Sequence, residues 1–416
     1  MPPSAMHTAV APVAESDRYE AMDVVRGVAV LGILILNIQS FAMPMAAYFN
    51  PTALGEPSAS DFFIWSVNYV LADSKFMTMF SLLFGAGVLL MTGRITERGG
   101  RPALIHYRRM FWLLVFGLAH AYLIWYGDIL VLYAICGLLV YPARRLAPRT
   151  LAILGVAFLS VTSLIAAGAT FMPPEQLREL NDTFWRPPPD RIAREIAAFQ
   201  GGWLAQTPER VAHSWEFHAV GLWAFGIWRA GGLMLIGMAL LKWRVLTGER
   251  EPAFYGRLAA AGLALGIPVV GWGLARNNVN GWTIDAFFLG GQWNYWGSVL
   301  VSLGWIGLVL RLWRAGFANG LFRRLAAAGR MAFTCYILET LICTTVFYGH
   351  GLGLFGTMDR FGQMLVVFAV WVVILLMAPA WLARFRFGPL EWLWRTLTYM
   401  QPAAMLRRRS APVSAA

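Results

Sequence analysis

Long apolar stretches, separated by short polar segments, dominate this sequence. A transmembrane helix needs about 20 mainly apolar residues. By that criterion the pattern predicts spans at 24–45, 70–92, 110–126, 128–143, 150–171, 218–241, 258–276, 293–310, 325–347 and 363–383. The first stretch is similar to a secretory signal, but it is long enough to cross a bilayer and further spans follow, so we interpret it as an uncleaved span. We therefore expect an all-α polytopic integral membrane protein with about ten transmembrane helices.

Composition and charge support this interpretation. Charged residues make up 13% of the chain, about half the roughly 25% that is typical of soluble domains. If the N-terminus is cytoplasmic, most of the 34 Lys and Arg residues lie on the cytoplasmic side, as the positive-inside rule requires. We therefore predict that both termini are cytoplasmic. Because topology explains the net charge of +12, no nucleic acid partner is expected.

The predicted organisation is one transmembrane helical domain, 17–400, between two disordered tails, 1–16 and the basic segment 401–416. The longest segment between spans, 172–217, would lie on the outer side, where it would cap a cavity, recognise an acceptor or act as a tether. We expect a multi-pass protein of the bacterial cytoplasmic (inner) membrane, with the lipid bilayer as its partner. Whether the chain forms a homo-oligomer is left open.

Polar side chains near the centres of predicted spans are the candidates for function, because such groups are costly in a bilayer. Asn37, His120, Arg229 and Glu339 lie near the centres of the first, third, sixth and ninth spans. Their similar depth predicts a central polar cavity. Since an isolated charge would be expensive there, Arg229 and Glu339 are expected to form an ion pair.

His120 is the main catalytic candidate. A near-neutral pKa suits a general base or a covalent carrier, although a buried structural histidine fits the sequence too. Asp128 lies just across a predicted hairpin turn from it. Asp128 would either orient the imidazole or cap the helix that begins there. No cluster of His, Asp or Glu has metal-ligand spacing, so no metal is expected.

Arginines at the cytoplasmic edge suggest an anion site. Arg26 precedes Asn37 by eleven residues, and Arg109 precedes His120 by the same interval. On a helix this interval places both groups on one face, about 16.5 Å apart, which suits an elongated ligand with an anionic head. Anchoring at lipid phosphates is the alternative. The candidate residues for the anionic head are Arg26, Arg94, Arg98, Arg108, Arg109 and Arg330.

Three groups of motifs carry a resemblance to a known family. They are the stretch 18–37, the stretch 116–133, and a combination of 329–332, 351–356 and 387–395. On these motifs the chain resembles the YeiB-like family, also called domain of unknown function 418. Its first-span motif is similar to that of the wider transmembrane acyltransferase group, which includes the heparan-α-glucosaminide acetyltransferase type.

The resemblance implies an enzyme that moves an acyl group from cytoplasmic acyl-CoA to a hydroxyl or amine of an extracytoplasmic acceptor. Asn37 would match the polar residue that ends the family motif, where it would stabilise an oxyanion. The acetyltransferase relatives also place a catalytic histidine shortly after this position. Here no histidine occurs between Asn37 and Lys75, so His120 would have to take that role. A transporter or flippase using the same polar groups, and a non-catalytic scaffold, are the alternative hypotheses.

Overall fold

Helices form the whole architecture. The computed structural model describes residues 18–407, and apart from one isolated bridge between Phe385 and Leu406 these contain no β-structure. The α-helices are α1 (Glu20–Ala42), α2 (Met45–Phe49), α3 (Ala59–Leu71), α4 (Lys75–Glu97), α5 (Pro102–Leu123), α6 (Leu130–Val140), α7 (Pro148–Ala169), α8 (Pro174–Leu180), α9 (Pro189–Gln200), α10 (Thr207–Glu216), α11 (Ile227–Lys242), α12 (Pro252–Val279), α13 (Ile284–Arg314), α14 (Asn319–Arg330), α15 (Ala332–Phe347), α16 (Arg360–Arg384) and α17 (Pro389–Tyr399).

Seven helical segments within residues 18–407 are long and apolar enough to cross a membrane, or up to eight if one bent pair is counted as a span. They are Glu20–Ala42, Ala59–Glu97, Pro148–Ala169, Thr207–Lys242, Pro252–Val279, Ile284–Arg314 and Arg360–Arg384. The prediction of an all-α polytopic membrane protein is confirmed. The number of about ten spans and the orientation of the termini stay predictions, since α5 and the eleven-residue α6 are not among the seven.

Within the predicted span 325–347 the chain bends by 88° between α14 and α15. Close contact with α1 accounts for one side of the bend: a Cβ on Gly329 would lie 1.8 Å from the carbonyl oxygen of Asp23. On the other side, Glu391 of α17 accepts hydrogen bonds from the backbone N–H groups of Phe333 and Thr334 at 2.8 and 3.0 Å. A carboxylate bound to free amides starts a new helix at that point.

The predicted outer loop 172–217 is a packed, helical cap and not a tether. Its Trp185 and Phe199 are fully buried. Side-chain and backbone bonds attach the segment to the bundle: the Trp203 indole donates to the carbonyl of Leu123 at 2.7 Å, and the Gly349 N–H donates to the carbonyl of Phe199 at 2.9 Å. We call the end of the bundle beneath this segment the capped end. The opposite end, which carries Arg26 and Arg109, is called the arginine end.

The predicted tails fall mostly outside the described residues. All of 1–16 and the last part of the C-terminal tail, 408–416, lie outside them. The described part of that tail, 401–407, makes hydrogen bonds to the rest of the chain. The Trp392 indole donates to the carbonyl of Ala403 at 2.7 Å, and the Arg386 N–H donates to that of Met405 at 2.9 Å. These bonds hold 401–407 against the start of α17.

Candidate functional site

A buried pair of His120 and Asp128 forms the centre of the site. His120 lies in the last turn of α5, and Asp128 lies in the short connection to α6. The Nδ1 atom of His120 is 2.8 Å from Oδ1 of Asp128, and the residues are 2% and 5% exposed. The second carboxylate oxygen accepts the N–H of Val131 at 2.8 Å. Asp128 thus does both jobs that the sequence offered as alternatives, orienting the histidine and capping α6.

Thr340 of α15 completes a line of three side chains. Its Oγ1 lies 3.1 Å from Nε2 of His120 and 3.2 Å from the carbonyl oxygen of Tyr336. Asp128, His120 and Thr340, which we call the His120 relay, have the geometry in which a carboxylate orients a base that faces a hydroxyl. Sequence reasoning missed Thr340, because a threonine inside an apolar helix commonly bonds only to its own preceding turn.

The other mid-span polar residues do not join this site. The Arg229 guanidinium donates to the carbonyl of Tyr295 at 3.1 Å and to the hydroxyls of Thr78 and Ser298 at 3.2 and 2.7 Å. Glu339 is buried, and its Oε1 has no hydrogen-bond partner among the described residues. The predicted ion pair between Arg229 and Glu339 is therefore wrong, because neutral oxygens on α4 and α13 satisfy the guanidinium instead.

Asn37, the remaining predicted catalytic residue, is half-buried on α1. The hydrogen bonds of His120 go to Asp128 and Thr340 and not to Asn37. The central cavity predicted from the depth of the mid-span polar residues stays a prediction. The cavity that we describe next lies at the arginine end, and neither Asn37 nor His120 lines it.

This cavity, of about 310 Å³, opens at the arginine end between α1, α4, α5, α15 and α17. Six arginines line it: Arg18, Arg26, Arg94, Arg109, Arg330 and Arg395. Only two acids, Asp23 and Glu391, accompany them. Four of the six arginines predicted for an anionic head are thus brought together, while Arg98 and Arg108 lie outside the lining. The excess of cationic over anionic side chains makes the mouth of the cavity attractive to anions.

The deeper wall of the cavity is apolar and ends beside the His120 relay. Its apolar lining includes Val30, Ile33, Leu83, Met110, Leu113 and Leu130. Ile129 and Leu130, which directly follow Asp128, form part of the inner wall together with Tyr336. The ring of Tyr336 lies 5.2 Å from that of His120, centroid to centroid. Tyr336 therefore separates the cavity from the relay by one side chain.

The helix α17, which carries the motif at 387–395, forms one wall of the cavity. Its Glu391 caps α15, as described above, and its Trp394 ring lies 3.7 Å from the Arg109 guanidinium. Arg395 lines the cavity, and its buried NH1 group has no hydrogen-bond partner among the described residues. Sequence reasoning assigned no role to these residues. The interval of four residues between Glu391 and Arg395, which puts both on one helix face, was the available signal.

Electrostatics on α17 keep the mouth of the cavity positive. Burial lowers the pKa of Arg395 to about 10, which still leaves the guanidinium charged at neutral pH. Burial raises the pKa of Glu391, while its hydrogen bonds from Thr334 and Phe333 act in the opposite direction. Glu391 and the Arg395 guanidinium, which lacks a partner for one of its donors, thus line the same cavity.

A second polar cluster lies apart from the cavity and was also missed. Lys75, fully buried at the start of α4, donates from Nζ to the carbonyl of Tyr69 and to Oδ1 of Asn294, both at 2.6 Å. Asn294 in turn donates to Asp73 at 2.7 Å. Lys75 lies within the predicted span 70–92, and the sequence analysis assigned it no role. Since defined partners hold its ammonium group, the cluster fits a structural role.

The fold and the site together define a polytopic helical membrane protein in which a cationic cavity leads towards a buried histidine. Residues 240–401 match the family model described as protein of unknown function (DUF418). The chain is 33% identical over 408 residues to the uncharacterized protein YeiB of Escherichia coli (strain K12). The aligned region covers 92% of this chain and 96% of that protein. The chain is 29% identical over 413 residues to the uncharacterized protein YxaH of Bacillus subtilis (strain 168), with coverage of 94% and 98%. The chain belongs to the YeiB-like (DUF418) family, which confirms the resemblance drawn from its motifs.

Proposed function

We propose that this protein is a membrane-embedded acyltransferase of the bacterial inner membrane. In this proposal the arginine end faces the cytoplasm and takes an acyl-CoA, and the acceptor is a hydroxyl or amine on the other side. The observation that carries the proposal is the order of groups along one cavity. An arginine-lined mouth leads to an apolar interior that ends beside the His120 relay.

The mouth matches the charged part of the donor. Coenzyme A carries a diphosphate and a further phosphate, and arginine binds phosphate oxygens through paired, charge-assisted hydrogen bonds. Arg395 offers a buried donor without a partner, and Arg109 is held in place against Trp394. Small-molecule sites have volumes of about 300–1,000 Å³. At about 310 Å³, the cavity suits the pantetheine arm and acyl group, with the nucleotide left at the mouth.

The inner end supplies a base. In the tautomer that donates Nδ1–H to Asp128, the imidazole of His120 presents the lone pair of Nε2 towards Thr340. An imidazole in this tautomer accepts a proton from a hydroxyl and later returns it. Because carboxylate and imidazole are both buried, water does not compete for these contacts.

Binding of radiolabelled acetyl-CoA to the purified protein in lipid nanodiscs tests the donor site. Arg395→Gln and Arg109→Gln should each weaken binding by about tenfold, the effect of losing one charge-assisted hydrogen bond. Arg311→Gln is the matched control, because Arg311 is exposed in the last turn of α13 and does not line the cavity. Absence of binding, or equal binding by all three variants, would contradict the proposal.

Turnover of the donor tests the histidine. Release of CoA from acetyl-CoA in membranes that contain the native acceptor should require His120, and His120→Ala should abolish it while binding remains. If His120→Ala turns over normally, the assigned chemistry is wrong. Solute uptake into proteoliposomes in the absence of any acyl donor would instead support the transporter alternative.

A further inference from the structure

We propose that Thr340 is the acyl carrier: its hydroxyl takes the acyl group from the donor as an ester before passing it to the acceptor. This inference rests on the proposed function and names a covalent step within it. It starts from a juxtaposition that the sequence does not reveal, since Thr340 and His120 are 220 residues apart in the chain.

The contacts of His120 favour a hydroxyl carrier over the imidazole itself. One ring nitrogen lies 2.8 Å from Asp128, and the other lies 3.1 Å from Oγ1 of Thr340. Both nitrogens are therefore occupied, and neither offers an open lone pair to a thioester. The Thr340 hydroxyl, in contrast, has a base at hydrogen-bond distance, and this base is itself oriented by a carboxylate. That arrangement is the general signature of an activated nucleophile.

The position of Thr340 on α15 links it to the donor cavity. Tyr336, one helical turn earlier, lines the inner end of the cavity, and its ring packs on His120. Thr340 is fully buried, and its Oγ1 lies 3.2 Å from the carbonyl oxygen of Tyr336. In the proposed step, the Tyr336 side chain has to turn aside for the thioester to reach the hydroxyl. The same ring shields the ester from water in the closed arrangement.

The chemistry balances without any further reactant. Oγ1 of Thr340 attacks the thioester carbonyl while Nε2 of His120 takes the hydroxyl proton. The carbon–sulfur bond breaks, the proton passes from His120 to the departing sulfur, and free CoA leaves. In the second half, His120 takes a proton from the acceptor hydroxyl or amine, whose oxygen or nitrogen attacks the Thr340 ester. Oγ1 then leaves and recovers its proton from His120.

Isotope exchange tests this step without knowledge of the acceptor. An acyl-enzyme formed reversibly exchanges labelled CoA into unlabelled acetyl-CoA when no acceptor is present. We expect the purified full-length protein in nanodiscs to catalyse this exchange, Thr340→Ser to retain it and Thr340→Val to lose it by at least a hundredfold. Mass spectrometry of the acid-quenched protein should locate the acetyl group on the peptide that contains Thr340.

Acetyl-CoA binding separates this inference from the proposed function. If Thr340→Val binds acetyl-CoA and still catalyses exchange, or if the acetyl group is found on His120, the inference is overturned and the acyltransferase proposal stands. Transfer of the acetyl group to a membrane acceptor without exchange of labelled CoA likewise overturns the role of Thr340 as carrier. It would support direct transfer from acetyl-CoA to the acceptor. If the wild-type protein does not bind acetyl-CoA, both proposals fail together.

Discussion

Replacing Asp128 by Asn tests the His120 relay with a change of one atom. In the wild-type protein Oδ2 accepts the N–H of Val131, and Oδ1 faces Nδ1 of His120. An asparagine at this position must keep its oxygen towards Val131, because its NH₂ group cannot accept a hydrogen bond. The NH₂ group then points at His120 Nδ1 across 2.8 Å.

Two N–H groups cannot face each other at that distance, so the imidazole changes tautomer. Nδ1 becomes an acceptor, and the proton moves to Nε2, where it points at Oγ1 of Thr340, 3.1 Å away. Thr340 then accepts from His120 and donates to the carbonyl of Tyr336. The ring keeps its place and its number of hydrogen bonds, but it can no longer act as a base towards the hydroxyl.

The expected effects on activity and on stability therefore differ in size. In a Ser-His-Asp triad the corresponding wrong tautomer lowers kcat by about 10⁴-fold, equivalent to about 5.5 kcal/mol in the activation barrier. Stability should fall by only about 1 kcal/mol, the difference between a charge-assisted and a neutral hydrogen bond. Asp190→Asn is the control, since Asp190 is exposed and its ion pair within residues 18–407 is with the exposed Arg194.

The assay measures acetyl-CoA turnover, acetyl-CoA binding and the thermal unfolding midpoint for the same preparations. We expect Asp128→Asn to lose turnover, keep binding and unfold close to the wild-type temperature. Turnover above one tenth of the wild-type value would refute the tautomer argument. Loss of folding would show that the main role of Asp128 is to cap α6.

Three further predictions concern stability, each measured by denaturation of the purified protein in detergent. Glu391→Ala should lower the free energy of unfolding by about 2 kcal/mol, because the N–H groups that start α15 lose their cap. The control Glu249→Ala, which is away from any cap, should change the free energy of unfolding little. Lys75→Met should lower the free energy of unfolding by about 3 kcal/mol, since it leaves buried oxygens of Tyr69 and Asn294 unpaired. An unchanged free energy of unfolding would show that Lys75 is not needed for the fold. Glu339→Gln should stay within about 1 kcal/mol of wild type, because Oε1 has no partner to lose, and a large loss would reveal the ion pair that the structure lacks.

Local sequence relations were predictable, and distant ones were not. His120 and Asp128 are eight residues apart across one turn, so the hairpin alone placed them together. Thr340 contacts His120, which is 220 positions away, and Glu391 accepts a hydrogen bond from Phe333, which is 58 positions away. Helical periodicity predicts no contacts between residues so far apart in the sequence. The bend at Met331 depends on such a distant contact, which is why the apolar pattern of 325–347 did not predict it.

The partners of charged side chains inside the bundle could not be predicted from the sequence, for a different reason. The ion pair of Arg229 and Glu339 was predicted on the assumption that a buried charge needs an opposite charge. Arg229 instead binds two hydroxyls and a carbonyl, and such neutral acceptors are present in every helix. The arginine cluster was more predictable, because Arg26 and Arg109 lie near the starts of the first and third predicted spans, which run in the same direction. Arg395 joined it only through the packing of α17.

A structure of the protein saturated with CoA tests the central claim most directly. The account predicts phosphate density within hydrogen-bond distance of Arg109 and Arg395, with the pantetheine arm running along the apolar wall to Tyr336. It also predicts that the sulfur lies nearer to Thr340 than to any other hydroxyl. Density for CoA elsewhere on the protein, or an empty cavity at saturating CoA, would contradict the claim that this cavity is a donor site.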